Sequence, residues 1–156
     1  MRKGFTLVEL IFVIVIVGII GAVGTSLYRP DRLLADTRFI ASKIMQTRYT
    51  AIGYDHGNFD GSFIADTTGC LTLDRAGLED PFSQAGRYTL GKGVQITVFG
   101  MSGNRICFDE KGYPHDGDFS AGSLLHRKVD INVSLSGKSY LITVMPMSGY
   151  AKIIYR

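Results

Sequence analysis

Hydrophobic and polar positions follow three rhythms in turn along this chain. From Phe5 to Leu27 the only polar side chains are Thr6, Glu9, Thr25 and Ser26, and the run from Leu10 to Val23 has none. A helix that is apolar on every side suits lipid or a fully buried position. At 1.5 Å per residue the segment measures roughly 35 Å, against about 30 Å of bilayer hydrocarbon, so it is expected to enter a membrane. Gly18, Gly21 and Gly24 lie within it, where they either permit close helix approach or loosen the helix. Pro30 interrupts the run: lacking an N–H, it bends a continuous helix or begins a new one, with Asp31 in the first turn. Beyond it Leu33, Thr37, Ile40, Ile44, Thr47 and Ala51 recur at three- and four-residue steps, while Asp36, Lys43 and Gln46 fall off that stripe. This predicts an amphipathic helix with one buried face, ended by Gly53.

From Tyr54 onward the helical period disappears and glycine becomes frequent. Strands are predicted over 70–73, 93–99 and 105–108, short β-branched or aromatic runs separated by Gly, Asp and Ser. Val129, Ile131, Val133 and Leu135 alternate with Asp130, Asn132 and Ser134, the pattern of a half-buried strand. A turn at Ser136-Gly137-Lys138 and two more runs, 140–145 and 150–155, complete a predicted antiparallel meander. A long helix followed by short strands gives an α+β fold in which the distal half of the helix covers one sheet face.

The edges of the apolar run decide what it is for. Arg2 and Lys3 precede it, as in a secretory signal or a membrane anchor. Residues 24–30, Gly-Thr-Ser-Leu-Tyr-Arg-Pro, fit an A-x-A cleavage site poorly, and neither reading accounts for Glu9. A carboxylate at membrane depth costs about 2.5 kcal/mol or more unless a cation neutralises it.

Arg2-Lys3-Gly4-Phe5-Thr6-Leu7-Val8-Glu9 resembles the K-G-F-T-L-x-E signature of type IV pilins and of type II secretion pseudopilins. The resemblance implies a membrane-embedded prepilin peptidase that cuts between Gly4 and Phe5 and methylates the new N-terminus at Phe5. It also implies a fold with a long N-terminal helix packed on an antiparallel β-sheet domain. The expected organisation is a leader at 1–4, a transmembrane and assembly helix at 5–28, its amphipathic continuation at 29–53, and a β-rich extracytoplasmic domain at 54–156. The implied location is the inner membrane, single-pass, with the N-terminus cytoplasmic before processing and the globular domain periplasmic, followed by a pilus or pseudopilus fibre. The implied partners are other pilin or pseudopilin subunits, prepilin peptidase, an inner-membrane assembly platform and membrane lipid. On this reading Glu9 pairs with the α-ammonium exposed at Phe5, its own or a neighbouring subunit's; the alternative is a carboxylate hydrated at the headgroups.

Further along, Arg105-Ile106-Cys107-Phe108-Asp109-Glu110-Lys111-Gly112 and Gly149-Tyr150-Ala151-Lys152-Ile153 resemble the x-I-x-F-x-x-x-G and G-x-x-x-I segments of the GspH/FimT group of minor pseudopilins. The family reading places Cys70 and Cys107 outside the cytoplasm, where disulfides persist. A bridge between them and two buried thiols both remain open. Such a bridge is worth roughly 3–4 kcal/mol in the chain-entropy description.

Charge narrows the function classes. The 156-residue chain is 46% hydrophobic and 20% charged, with net charge +3 and room for one compact domain. Loss of Arg2 and Lys3 reduces 17 basic residues to 15, against 14 acidic. A nearly neutral product is a poor non-specific binder of nucleic acid. The competing expectation is a DNA-binding minor pilin used in DNA uptake, with Arg127, Lys128, Lys138, Lys152 and Arg156 gathered on the terminal sheet. The acidic stretch 109–118 is expected to be a solvated turn, since it lacks the alternating spacing of a calcium loop. His56, His115 and His126 match no metal or catalytic spacing and are expected to be exposed loop residues. No catalytic activity, metal or cofactor is expected.

Overall fold

The computed structural model describes residues 6–27, 31–53, 69–79, 88–120 and 122–155. The chain divides into two compact units, Met1–Asp31 and Arg32–Arg156. The first contains helix α1, Leu7–Leu27. The second contains α2 (Arg32–Ala51), β1 (Cys70–Thr72), α3 (Arg75–Leu78), β2 (Gln95–Phe99), β3 (Arg105–Phe108), β4 (Pro114–Asp116), β5 (Val129–Leu135), β6 (Lys138–Val144) and β7 (Ala151–Ile154). This is the expected α+β architecture, a long N-terminal helical region followed by antiparallel sheets.

The side chains of α1 are described to Ala22. Among the described residues no helix is long and apolar enough to cross a membrane. The expected spanning segment 5–28 is therefore not supported by the described residues, since its first residue and the side chains of its last turn lie outside them.

α2 packs into the second unit through Leu33, Thr37, Ile40, Ile44 and Ala51, all buried. The Thr37 hydroxyl donates to the Leu33 carbonyl one turn back (2.7 Å), so a polar side chain sits in the stripe with its hydrogen bond made. Thr47, expected in the stripe, is only half-buried. Asp36 and Lys43, expected on the open side, are buried. Asp36 is accommodated because its carboxylate accepts from the Tyr88 hydroxyl (2.6 Å) and the Gly91 N–H (3.0 Å). The Lys43 ammonium lies 5.7 Å from the centre of the Phe39 ring. Gly53 has φ +79° and donates its N–H to the Glu110 carbonyl (2.9 Å), which stops the helix and ties its end to the β3–β4 turn.

Two antiparallel sheets complete the unit, three strands in the order β1-β3-β4 and four in the order β2-β5-β6-β7. The β5–β6–β7 meander runs in register from Val129 opposite Val144 to Leu135 opposite Lys138, with Ile142 opposite Ile153. Ser136 and Gly137 both take positive φ, 49° and 83°, the two-residue turn whose twist matches its strands. Alternation along β5 delivers Val129, Ile131 and Val133 to the core, where they meet Ile142 and Val144 of β6 and Ile40 and Ile44 of α2. β4 and α3 were not among the predicted elements. β4 falls inside the stretch expected to be a solvated turn, and α3 is a single turn begun by Asp74, whose side chain accepts from the Gly77 N–H.

Candidate functional site

α1 begins at a polar cap. The Leu10 N–H donates to the Thr6 carbonyl (3.2 Å), and the Glu9 N–H donates to the Thr6 hydroxyl oxygen (3.3 Å). Thr6-Leu7-Val8-Glu9 is thus an S/T-x-x-E start in which the hydroxyl satisfies a first-turn N–H. The Glu9 carboxylate sits in that first turn, where the helix dipole favours negative charge. The T-x-x-E spacing carries this first-turn role, which stands beside the charge pairing or headgroup hydration expected of Glu9. Glu9 is exposed, and among the described residues no cation lies within ion-pair distance of it. Gly4 and Phe5, the expected cleavage and methylation positions, lie outside the described residues.

Above the cap every described side chain of α1 is exposed. Leu7 is 75% exposed, Phe12 67% and Ile20 67%. An apolar surface of this extent, with no polar face to turn toward water, is an interaction surface for lipid or for other chains. A Cβ added at Gly18 or Gly21 would meet nothing within 4 Å, so neither glycine is required by packing within the chain.

The two segments that carry the second resemblance meet in the globular unit. Gly149 packs against the Phe108 ring and the Gly112 carbonyl; an added Cβ would lie 2.8 Å from Phe108 Cε1 and closer still to Gly112 O. Gly112 has φ +80° and Gly149 +62°, backbone positions where a side chain is strained. Arg48 of α2 closes this joint by donating from Nε to the Ser148 carbonyl (2.7 Å).

Cys70 and Cys107 sit directly opposite each other on β1 and β3 and are joined by a disulfide. Within the stretch 109–118, Asp109 and Asp118 bind their own turns and Asp116 binds the β2–β3 loop. Asp109 Oδ1 accepts from the Lys111 and Tyr113 N–H groups, Asp116 Oδ2 from Ser102, and Asp118 Oδ1 from Ser120. The Ser120 hydroxyl and N–H bonds hold the exposed Asp118 carboxyl below its ordinary range. Among the described residues no three potential ligands gather as a metal site.

His115 corrects the expectation of an exposed loop residue. It lies on β4 with its side chain 12% exposed, Nδ1 2.8 Å from the Ser123 hydroxyl and Nε2 3.5 Å from Asp109 Oδ2. Ser123 is itself buried, and its hydroxyl reaches the Asp118 and Ser120 carbonyls, so it is not presented to a substrate. His126 is exposed, and His56 lies outside the described residues.

The expected basic cluster is divided between the two ends of the sheet among the described residues. Arg127 and Lys128 precede β5, and Lys152 of β7 aligns through Thr143 with Asp130 at the same end of the sheet, whereas Lys138 opens β6 at the far end of the hairpin. A seven-residue strand separates the first two from Lys138, roughly 20 Å. Lys128 is paired with Asp130 (2.8 Å), and Arg156 lies outside the described residues.

Residues 1–25 match the model of the prokaryotic N-terminal methylation motif, consistent with a type IV pilin or pseudopilin. No curated protein and no solved structure matches the chain.

Proposed function

We propose that this chain is a minor pilin-like structural subunit, cut after Gly4 by prepilin peptidase, N-methylated at Phe5, and assembled through α1 into a type II secretion pseudopilus or a type IV pilus. The observation that carries the proposal is the match of residues 1–25 to the methylation motif. The geometry of α1 supports it. A cut between residues 4 and 5 creates an α-ammonium four residues before Glu9 in sequence, a cation available to neutralise the carboxylate within the subunit or from a neighbour. The pair then enters an apolar setting at a lower cost than an isolated carboxylate. The exposed side chains from Leu7 to Ile20 bury against other helices of the same kind.

Before assembly the helix is held in the inner membrane, with the globular unit on the periplasmic side. Through Leu27 α1 has 21 residues, roughly 32 Å, and the sequence stays apolar through Val23, beyond the last described side chain. Arg2 and Lys3 set the cytoplasmic end. The GspH/FimT group is the subfamily we favour, because its two segments contain the glycines and the phenylalanine of the Phe108–Gly112–Gly149 joint.

Intact-mass and N-terminal analysis of the protein from native membranes or fibres tests this reading. The expected product lacks Met1–Gly4 and begins with N-methylated Phe5. A retained Met1, or a first residue beyond Leu27, overturns it.

A further inference from the structure

Four strands stand at sheet edges: β1 and β4 in the smaller sheet, β2 and β7 in the larger. An exposed edge offers unpaired backbone groups to any passing strand, and proteins blunt such edges with short length, proline or charge. Three of the four edges carry such a device. β1 has three residues and is bonded to β3 through Cys70 and Cys107. β4 contains Pro114 and Asp116 and is covered on its outer side by residues 123–125, where the Asp116 N–H donates to the Ser123 carbonyl and the Leu125 N–H to the Pro114 carbonyl. β7 contains Lys152.

β2 has none of these. It is five residues long, and from 93 to 104 the chain contains neither a charged residue nor a proline. Gln95, Thr97 and Phe99 are exposed on one face, Phe99 by 56%. Ile96 and Val98 pack against the core from the other. Among the described residues β2 pairs with β5 alone.

We propose that the β2 edge pairs antiparallel with β2 of a second copy of this chain, joining two four-stranded sheets across a two-fold axis. The strand is self-complementary about Thr97. Centred there, Ile96 of each copy falls opposite Val98 of the other on the core face, a favourable pair of β-branched residues. Gln95 falls opposite Phe99 on the outer face, and Thr97 meets its own counterpart at the axis. A partner recognised by charge finds nothing to bind along this edge, whereas a second copy brings an edge that is equally uncharged and of the same length. The contact is isologous, so it closes at two copies. It goes beyond the assembly reading above and holds whether or not residues 1–4 are removed.

Cysteine cross-linking of the full chain in detergent tests the pairing. Cys70 and Cys107 are bonded to each other, so a thiol placed by Thr97→Cys is available for cross-linking. Mild oxidation is expected to give a covalent dimer from Thr97→Cys, with about tenfold less from Lys152→Cys on the opposite edge. Thr97→Lys sets two ammonium groups face to face and is expected to lower the dimer fraction in sedimentation about tenfold, with the thermal unfolding curve unchanged. Equal cross-linking at both edges, which association through α1 alone produces, overturns the proposal. So does an absence of dimer from Thr97→Cys, or a dimer fraction indifferent to Thr97→Lys.

Discussion

α1 and α2 are nearly the same length, 21 and 20 residues, and place their apolar side chains under opposite regimes. α2 buries Leu33, Ile40 and Ile44 within its own unit and bonds its buried Thr37 and Asp36 there, Thr37 to Leu33 one turn back and Asp36 to the distant Tyr88 and Gly91. α1 exposes every described side chain, and its first turn is closed by the Thr6 cap. The difference separates two kinds of stability. The second unit carries its own core, and α1 depends on surroundings supplied from outside the chain.

The largest expected effect breaks this contrast at α1. Glu9→Val is expected to leave membrane insertion and removal of residues 1–4 intact and to cut fibre yield to about a tenth or less, because the new α-ammonium loses its counter-charge. Immunoblotting of sheared fibres against the membrane fraction measures it, and unchanged yield sinks the pairing. Thermal unfolding of the globular unit should not move.

The next effect falls on the other side of the comparison. Replacing both Cys70 and Cys107 with Ser removes a cross-link between residues 37 apart and is expected to destabilise the second unit by roughly 3–4 kcal/mol in urea. Retained α1 helicity in the unfolded globular unit would sharpen the separation, and an unshifted urea midpoint would refute the contribution.

The smallest effect concerns Tyr88. Burial first, and then the Asp36 carboxylate it bonds to, push the Tyr88 phenol up to about 12 from 10.0. A group held protonated more tightly in the folded state contributes stability that is fully present below its unfolded value. That contribution is expected to be present below pH 10 and lost as the pH rises through about 12. Urea midpoints of Tyr88→Phe should lack this part of the alkaline decline. Identical slopes for the two proteins would count against it.

Periodicity made the simple elements legible. The alternation from Val129 to Leu135 fixed β5 to the residue, and the stripe from Leu33 to Ala51 placed α2 and its buried face. It failed where long-range partners overrode local pattern. Asp36 is buried because Tyr88 and Gly91, more than fifty residues away in sequence, arrive to bond it. Pro114-His115-Asp116 reads as a turn by composition and becomes a strand because β3 lies beside it. Of the candidate site, the motif ahead of α1 was legible because a glycine, a large apolar residue and an acid at fixed spacing carry specific chemistry. Of the cations grouped on the terminal sheet, the length of β5 sets Lys138 apart from Arg127 and Lys128, and Lys152 aligns through Thr143 with Asp130 at their end.

The Thr6 cap has one more consequence. The proposed scission between residues 4 and 5 would spare the threonine hydroxyl, the Glu9 amide and the Leu10 amide alike. On that proposal the trimmed rod needs no new nucleation event, because the groups that close its first turn all remain in the product.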